Sequence, residues 1–245
     1  MTKPSVTIPH TAMVMAAGFG TRLRPLTETT PKALVPVLGV PMLDVVLNRL
    51  QAVGVKRVVI NLHHLGEKIR AHLKGRADLE ILYSEEAEIL ETGGGIVQAL
   101  PLLGQDPFFA VNAKIIWLNG KIDALERLAA EWDDAKMDAL LLLQPTVTAV
   151  GYNGKGDFVM DQEGRVRRRK EWQVAPFLYA GIQICHPRLF RDPPQGAFST
   201  NVVWDRAIEE DRLFGLRHDG EWYHVSTPQH LQDVERHLSF HGIRF

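Results

Sequence analysis

Apolar, β-rich runs alternate with amphipathic helical patterns through the first 145 residues, and this alternation constrains the fold more than any other feature. A strand, then a helix, then a strand is how a parallel sheet with crossover helices reads in sequence. The expected strands are Ala12–Met15, Arg57–Leu62, Leu79–Tyr83, Phe108–Asn112 and Ala139–Leu143. Between them the pattern predicts helices at Met42–Ala52, Gly66–Leu73, Gly95–Leu103 and Ile122–Trp132. The strands are near-continuous apolar runs, as expected when helices cover both faces.

After Gln144 the grammar changes. Gly151, Gly154, Gly156 and Gly164 punctuate short segments with turn chemistry, which predicts hairpins rather than crossovers. A strand at Phe177–Cys185, a helix at Asn201–Glu210 and short strands at Leu213–Arg217 and Trp222–Val225 are expected to follow. A last helix should start at Pro228 with Thr227 as its N-cap. The expected class is α/β: a mixed, mostly parallel sheet with helices on both faces and a small β-rich lid lobe. No repeat or low-complexity linker divides the chain, so residues 1–245 read as one domain. Residues 1–144 would form a nucleotide-binding lobe and 145–245 a lid lobe over the substrate.

Charge and cysteine usage exclude several classes. Lys and Arg number 28 against 29 Asp and Glu, a formal charge of -1, which argues against a dedicated nucleic-acid binder. The single Cys185 cannot form an internal disulfide, and no cysteine cluster is present to hold zinc. No apolar run approaches the roughly 20 residues that cross a bilayer. The stretch Met1–His10 lacks the layout of a signal peptide. A cytoplasmic protein without membrane or nucleic-acid partners, monomer or dimer, is expected.

The first strand runs into Ala16-Ala17-Gly18-Phe19-Gly20-Thr21-Arg22-Leu23-Arg24-Pro25-Leu26-Thr27. Small residues after a buried strand let backbone N–H groups approach a phosphate. Leu23 stands where a dinucleotide fingerprint needs its third glycine, and the Gly-Lys-Ser/Thr of a Walker loop is absent. Arg22, Arg24 and Lys32 place three cations around the turn, which suits a triphosphate. The plainer alternative is a tight connection with solvated arginines.

With Pro31-Lys32-Ala33-Leu34, Pro41-Met42-Leu43, Glu91-Thr92-Gly93-Gly94-Gly95, Gly156-Asp157-Phe158 and Tyr179-Ala180-Gly181-Ile182, this loop resembles the signature of sugar-1-phosphate nucleotidyltransferases. Length and motif order are most similar to the bacterial branch of N-acetylmuramate 1-phosphate uridylyltransferases and mannose-1-phosphate guanylyltransferases. The resemblance implies a mononucleotide-binding, Rossmann-like fold that joins a nucleoside triphosphate to a sugar 1-phosphate and releases pyrophosphate. It implies that Ala16, Gly18, Gly20 and Thr21 wrap the nucleotide, that Arg22 and Lys32 hold its phosphates, and that Glu91, Gly93 and Gly94 lie at base and sugar. It assigns Asn112, Gly156, Asp157, Tyr179 and Gly181 to the sugar-phosphate side. Read from the residues alone, Gly93 to Gly95 would expose free N–H groups at a helix start, or form a plain loop.

The chain departs from that family at two positions. Enzymes of the family hold Mg²⁺ with two aspartates, and the matching residues here are Lys114 and His224. An ammonium repels a divalent cation, and imidazole is a poor ligand for Mg²⁺. No protein metal site is therefore expected, Mg²⁺ entering only with the substrate phosphates, and no organic cofactor. Lys114 could supply the missing positive charge and join Arg22 and Lys32 as a catalytic residue, or it could point to solvent. A second functional reading is a nucleotide- or sugar-phosphate-binding homologue without turnover.

Arg165, Arg167, Arg168, Arg169 and Lys170 read as a solvated hairpin face, or as a rim that draws in sugar phosphate. His63 and His64 read as loop histidines without a metal partner, and Cys185 as buried and inert. No Gly-x-Ser-x-Gly elbow supports hydrolase chemistry.

Overall fold

The computed structural model describes residues 7–245; the first six residues of the N-terminal stretch read above lie outside them. Nine strands form the central sheet: β1 (Thr11–Met15), β2 (Arg57–Leu62), β3 (Glu80–Glu85), β4 (Phe108–Asn112), β5 (Ala139–Pro145), β6 (Phe158–Met160), β7 (Val166–Arg168), β8 (Phe177–Cys185) and β9 (Leu213–Arg217). The order across the sheet is β3-β2-β1-β4-β8-β5-β9, and the hairpin β6–β7 joins through Phe158 opposite Phe177. Strands β3, β2, β1 and β4 are parallel, whereas β8 runs antiparallel to both β4 and β5.

The sheet thus passes through both expected lobes. Strand β8 comes from the second half of the chain but lies in the middle of the sheet, between β4 and β5 from the first half. The two stretches of the chain therefore share one sheet. The physical reason is in the strand itself, where Leu178, Ala180, Ile182, Ile184 and Cys185 are all buried and need cover on both faces.

Six main helices complete the layers: α1 (Met42–Ala52), α2 (Gly66–Leu73), α3 (Glu91–Leu103), α4 (Ala124–Glu131), α5 (Asn201–Glu209) and α6 (Pro228–Phe240). Leu47 and Leu50 of α1, Ile69 of α2 and Leu125 and Leu128 of α4 pack on the face that carries Ala12 and Val14. Ile96 and Ala99 of α3 and Val203 and Trp204 of α5 cover the opposite face with Met13. Each such buried side chain contributes about 1.5–3 kcal/mol. Helix α6 starts as its sequence predicts, with the Thr227 hydroxyl accepting the His230 N–H at 3.1 Å and Pro228 at the first turn. Asp123 caps α4 through the Leu125 N–H, which moves that start inward from the expected Ile122.

The largest shift is at α3. It begins at Glu91 rather than Gly95, so Gly93, Gly94 and Gly95 sit inside its first turns. Glycine is a poor helix former, and the expected boundary followed that preference. Tertiary contacts override it here. A Cβ at Gly93 would lie 2.3 Å from the Phe198 ring, and one at Gly94 2.6 Å from the Gly196 carbonyl oxygen. Gly93 and Gly94 let the helix pack closely against the 196–198 loop.

A small second sheet pairs Glu221–His224 with Ile115–Leu118 and Ala149–Val150. Its register sets His224 opposite Ile115, the neighbour of Lys114. Among the described residues no helix is long and apolar enough to cross a membrane.

Candidate active site

Two cavities open at the carboxyl ends of the parallel strands, where open α/β sheets place their ligands. The larger, about 440 Å³, is lined by the loop after β1, the end of β4 and the start of α3. That volume falls in the usual range for a small-molecule site. The smaller, about 190 Å³, lies between β8, the end of β4 and the Trp222–Val225 segment. Arg22, Lys32, Asn112 and Lys114 line both.

The loop after β1 is shaped for a close anionic partner. Gly20 takes a left-handed backbone (φ +63°), and a Cβ there would lie 2.9 Å from Lys32 Cβ. Its glycine lets the lysine close over the loop. Gly18 faces open space, and the backbone N–H groups of Ala17, Gly18 and Gly20 donate to no protein acceptor among the described residues. The Thr27 hydroxyl donates to the Gly20 carbonyl at 2.9 Å and closes the turn from below. Unpaired amides turned toward one cavity make an anion-binding concavity.

The electrostatics at the junction are one-sided. Burial, followed by the charges of Lys114 and Arg22, lowers the Lys32 ammonium to about 7. Lys114 is lowered as well, by burial and by Arg22; water reaches it in the cleft although protein atoms crowd it. Burial and then Lys32, Arg22, Lys114 and His230 hold His224 at about 4, so its imidazole is neutral at pH 7. None of the residues shared by the two cavities is acidic. Among the described residues no group of three or more His, Cys, Asp or Glu could hold a metal ion. Mg²⁺ needs oxygen ligands, and this donor set does not fit it.

Ala16, Gly18, Gly20, Thr21, Arg22, Lys32, Glu91, Asn112 and Lys114 meet at the larger cavity. Glu91 does so from a left-handed backbone (φ +58°), strained for a residue with a side chain. Gly93 and Gly94 do not line it. Their N–H groups donate to the Phe198 carbonyl at 2.8 and 3.2 Å, so the expected free helix start is already capped by protein.

On the smaller cavity, Asp157 and Gly181 are in place, and glycine at 181 (φ +83°) leaves room for the Asn112 side chain. Tyr179 contributes only part of its surface. Its ring packs against Trp204 (4.8 Å between centroids) in the core on the other face of the sheet, where its hydroxyl is buried without a partner. Gly156 stands behind the wall, its left-handed backbone (φ +75°) pressed against the Ala175 carbonyl.

Three members of the basic run are tied into the fold, while Arg167 and Lys170 are exposed on the hairpin. Arg165 lies over Phe214, and Arg168 lies over Phe158 and pairs with Asp205 at 2.7 Å. Arg169 donates to the carbonyls of Gly156, Lys170, Glu171 and Gln173. His63 and His64 flank the Phe19 ring, and His63 Nδ1 lies 2.8 Å from the Glu86 carbonyl. Cys185 is buried, as expected, and burial pushes its thiol up.

Several cavity residues escaped sequence reasoning. Asn61 and Glu86 form a buried pair in the larger cavity, and Ser199 lines it too. Tyr152 and Trp222 wall the smaller one. A polar residue ending the strand after a buried run, as Asn61 nearly does, was the one available signal.

Comparison with known proteins agrees with this geometry. The nucleotidyl transferase family profile matches residues 11–171. An N-acetylmuramate alpha-1-phosphate uridylyltransferase from Caulobacter vibrioides is 40% identical over 236 residues, covering 94% of this chain and 98% of that one. A protein of the same name from Neisseria meningitidis serogroup B is 34% identical, covering 91% and 96%. The crystal structure of HddC from Yersinia pseudotuberculosis, complexed with GMP-PN, superposes with a TM-score of 0.74 over 94% of this chain and 99% of that one. At 19% identity that match speaks for the fold alone. The chain belongs to the nucleotidyl transferase family, as one of its sugar-1-phosphate nucleotidyltransferases.

Proposed function

We propose that this enzyme transfers a uridylyl group from UTP to N-acetylmuramate α-1-phosphate, giving the UDP-sugar and pyrophosphate. The choice of base and sugar follows the two relatives of that name, which match this chain over nearly their whole length. The observation that carries the chemistry is the wall shared by the two cavities. A triphosphate in the larger cavity and a sugar phosphate in the smaller one would meet at Arg22, Lys32, Asn112 and Lys114.

In this reading a sugar-phosphate oxygen forms a bond to the α-phosphorus while the bond from that phosphorus to the bridging oxygen breaks. The electron pair leaves with pyrophosphate. No covalent enzyme intermediate is needed, so catalysis rests on positioning and charge neutralisation. Ala16, Gly18, Gly20 and Thr21 cradle the triphosphate, and Arg22, Lys32 and Lys114 neutralise it as charge moves onto the leaving group. Glu91 borders the nucleoside, while Gly93 and Gly94 let its wall pack. Asp157 and Gly181 border the acceptor, with Gly156 and Tyr179 supporting them from behind.

The test is pyrophosphate release with each pairing of UTP, GTP or dTTP with N-acetylmuramate, glucose or mannose 1-phosphate. The highest kcat/KM is expected for UTP with N-acetylmuramate 1-phosphate. A different best pair would overturn the specificity. Tight nucleotide binding with no release from any pair would favour the binding homologue instead.

A further inference from the structure

We infer that the junction between the two cavities binds the pyrophosphate portion of its nucleotide without a divalent metal, with Lys114 as the fixed positive charge. Arg22, Lys32, Lys114 and His224 converge there from four separate segments of the chain. Such clustering is unfavourable unless an anion occupies the space between the cations.

The nearby carboxylates do not relieve it. Glu86 accepts from the Asn61 amide and the Leu90 N–H at 2.6 and 3.0 Å, and Asp157 accepts from the Tyr179 N–H at 2.8 Å. Both are turned to structural donors, and Glu91 lines the larger cavity only, outside the residues that the two cavities share. A divalent cation at the junction would meet three side chains of its own sign, one imidazole and the single neutral amide of Asn112. A chain of phosphates would meet arginine, lysine and free backbone amides, all of which donate. Lys114 also sits on the two-residue turn, Ala113-Lys114, between β4 and Ile115–Leu118, so its place is set by the strands on either side rather than by a loose loop. The identity of the anion as part of a nucleotide rests on the transferase reading; the metal-free character rests on the residues.

The experiment is calorimetric titration of the full chain with inorganic pyrophosphate, once in EDTA and once with excess Mg²⁺. Wild type is expected to bind in EDTA and to bind more weakly when Mg²⁺ neutralises the ligand. Lys114→Ala should weaken binding in EDTA by about tenfold or more, the equivalent of a lost hydrogen bond to a charged group. Its melting temperature without ligand should not fall, because the side chain is exposed in the cleft and its removal relieves repulsion. Lys114→Arg should retain most of the affinity. The double variant Lys114→Asp, His224→Asp should lose binding in EDTA and regain it with Mg²⁺. Binding by wild type only when Mg²⁺ is present would overturn the inference, as would no binding in EDTA or unchanged affinity in Lys114→Ala. These readouts need no turnover, so they stand apart from the test of uridylyl transfer.

Discussion

The side-chain amide of Asn61 donates to Glu86 Oε1 at 2.6 Å, and the same residue's Oδ1 accepts the Ala16 N–H at 2.7 Å. One buried asparagine thereby couples the start of the glycine loop to the segment before α3, since Glu86 also accepts the Leu90 N–H. The pair fits because residue 95 has no side chain: a Cβ there would lie 2.6 Å from Glu86 Oε1 and 3.0 Å from Asn61 Nδ2. Gly95→Ala is therefore expected to cost about 1–3 kcal/mol, as overpacking of a filled interior does. Nucleotide affinity should drop with it. Chemical denaturation and a UTP titration check both.

Arg22→Ala should weaken triphosphate binding by about 1.5–3 kcal/mol, the range for hydrogen bonds to charged groups. The residue is exposed, so the loss should show in calorimetry without a change in unfolding midpoint.

Lys32 gives the site a pH dependence. In the free protein its ammonium titrates near 7 because of burial, Lys114 and Arg22, so it is largely neutral at pH 8. A bound triphosphate favours the charged form and raises that value. Binding should then take up a proton above pH 7, and affinity should fall with rising pH by at most about tenfold per unit. Titrations in buffers of different ionisation enthalpy measure the uptake, which Lys32→Gln should abolish. His224 stays neutral throughout this range, so it should not contribute.

Asp138 is a structural charge away from the site, 1% exposed. Its carboxylate receives Arg188 and Arg212, each at 2.7 Å, and Arg191 at 3.4 Å. Burial alone would raise its pKa; the hydrogen bonds from Arg188 and Arg212 outweigh it and lower the value. A depressed carboxylate stabilises the fold above its unfolded pKa and loses that contribution as pH falls through the folded value. Asp138→Asn should cost about 2–3 kcal/mol, less than a fully buried pair because the arginines can turn to water. Urea midpoints between pH 7 and 3 should fall less steeply in the variant than in wild type.

Arg169 ties the Gly156 carbonyl to those of residues 170, 171 and 173, behind the wall formed by Tyr152 and Asp157. Arg169→Ala should raise KM for the sugar phosphate several-fold, with nucleotide affinity unchanged, by loosening an oriented wall. Hydrogen exchange should quicken over residues 151–157 in the variant and stay as in wild type in β1.

The sequence made the parallel half of the sheet legible because Val58 to Ile60 and Phe108 to Val111 are unbroken apolar runs. Strands β2, β4 and β8 fall where their patterns predict. The glycine loop was legible too, since Gly18, Gly20 and Arg22 are close in the chain and act together. What stayed hidden depends on distant partners. Nothing local tells that Gly93 admits Phe198, over 100 residues away, or that Asn61 finds Glu86. The direction of the Tyr179 side chain was equally hidden: alternation sends it to the face opposite Leu178 and Ala180, but nothing local tells which face meets Trp204.

The position of β8 also bears on how the chain is made. A ribosome that has synthesised residues 1–144 has delivered β1 to β4 and most of β5, but the strand that joins β4 to β5 is still to come. Until residue 185 emerges, two apolar strands present open edges, the kind of surface that templates aggregation. The first half of the chain therefore cannot complete its sheet ahead of the second, and a nascent chain stalled between them needs a chaperone more than a finished one does.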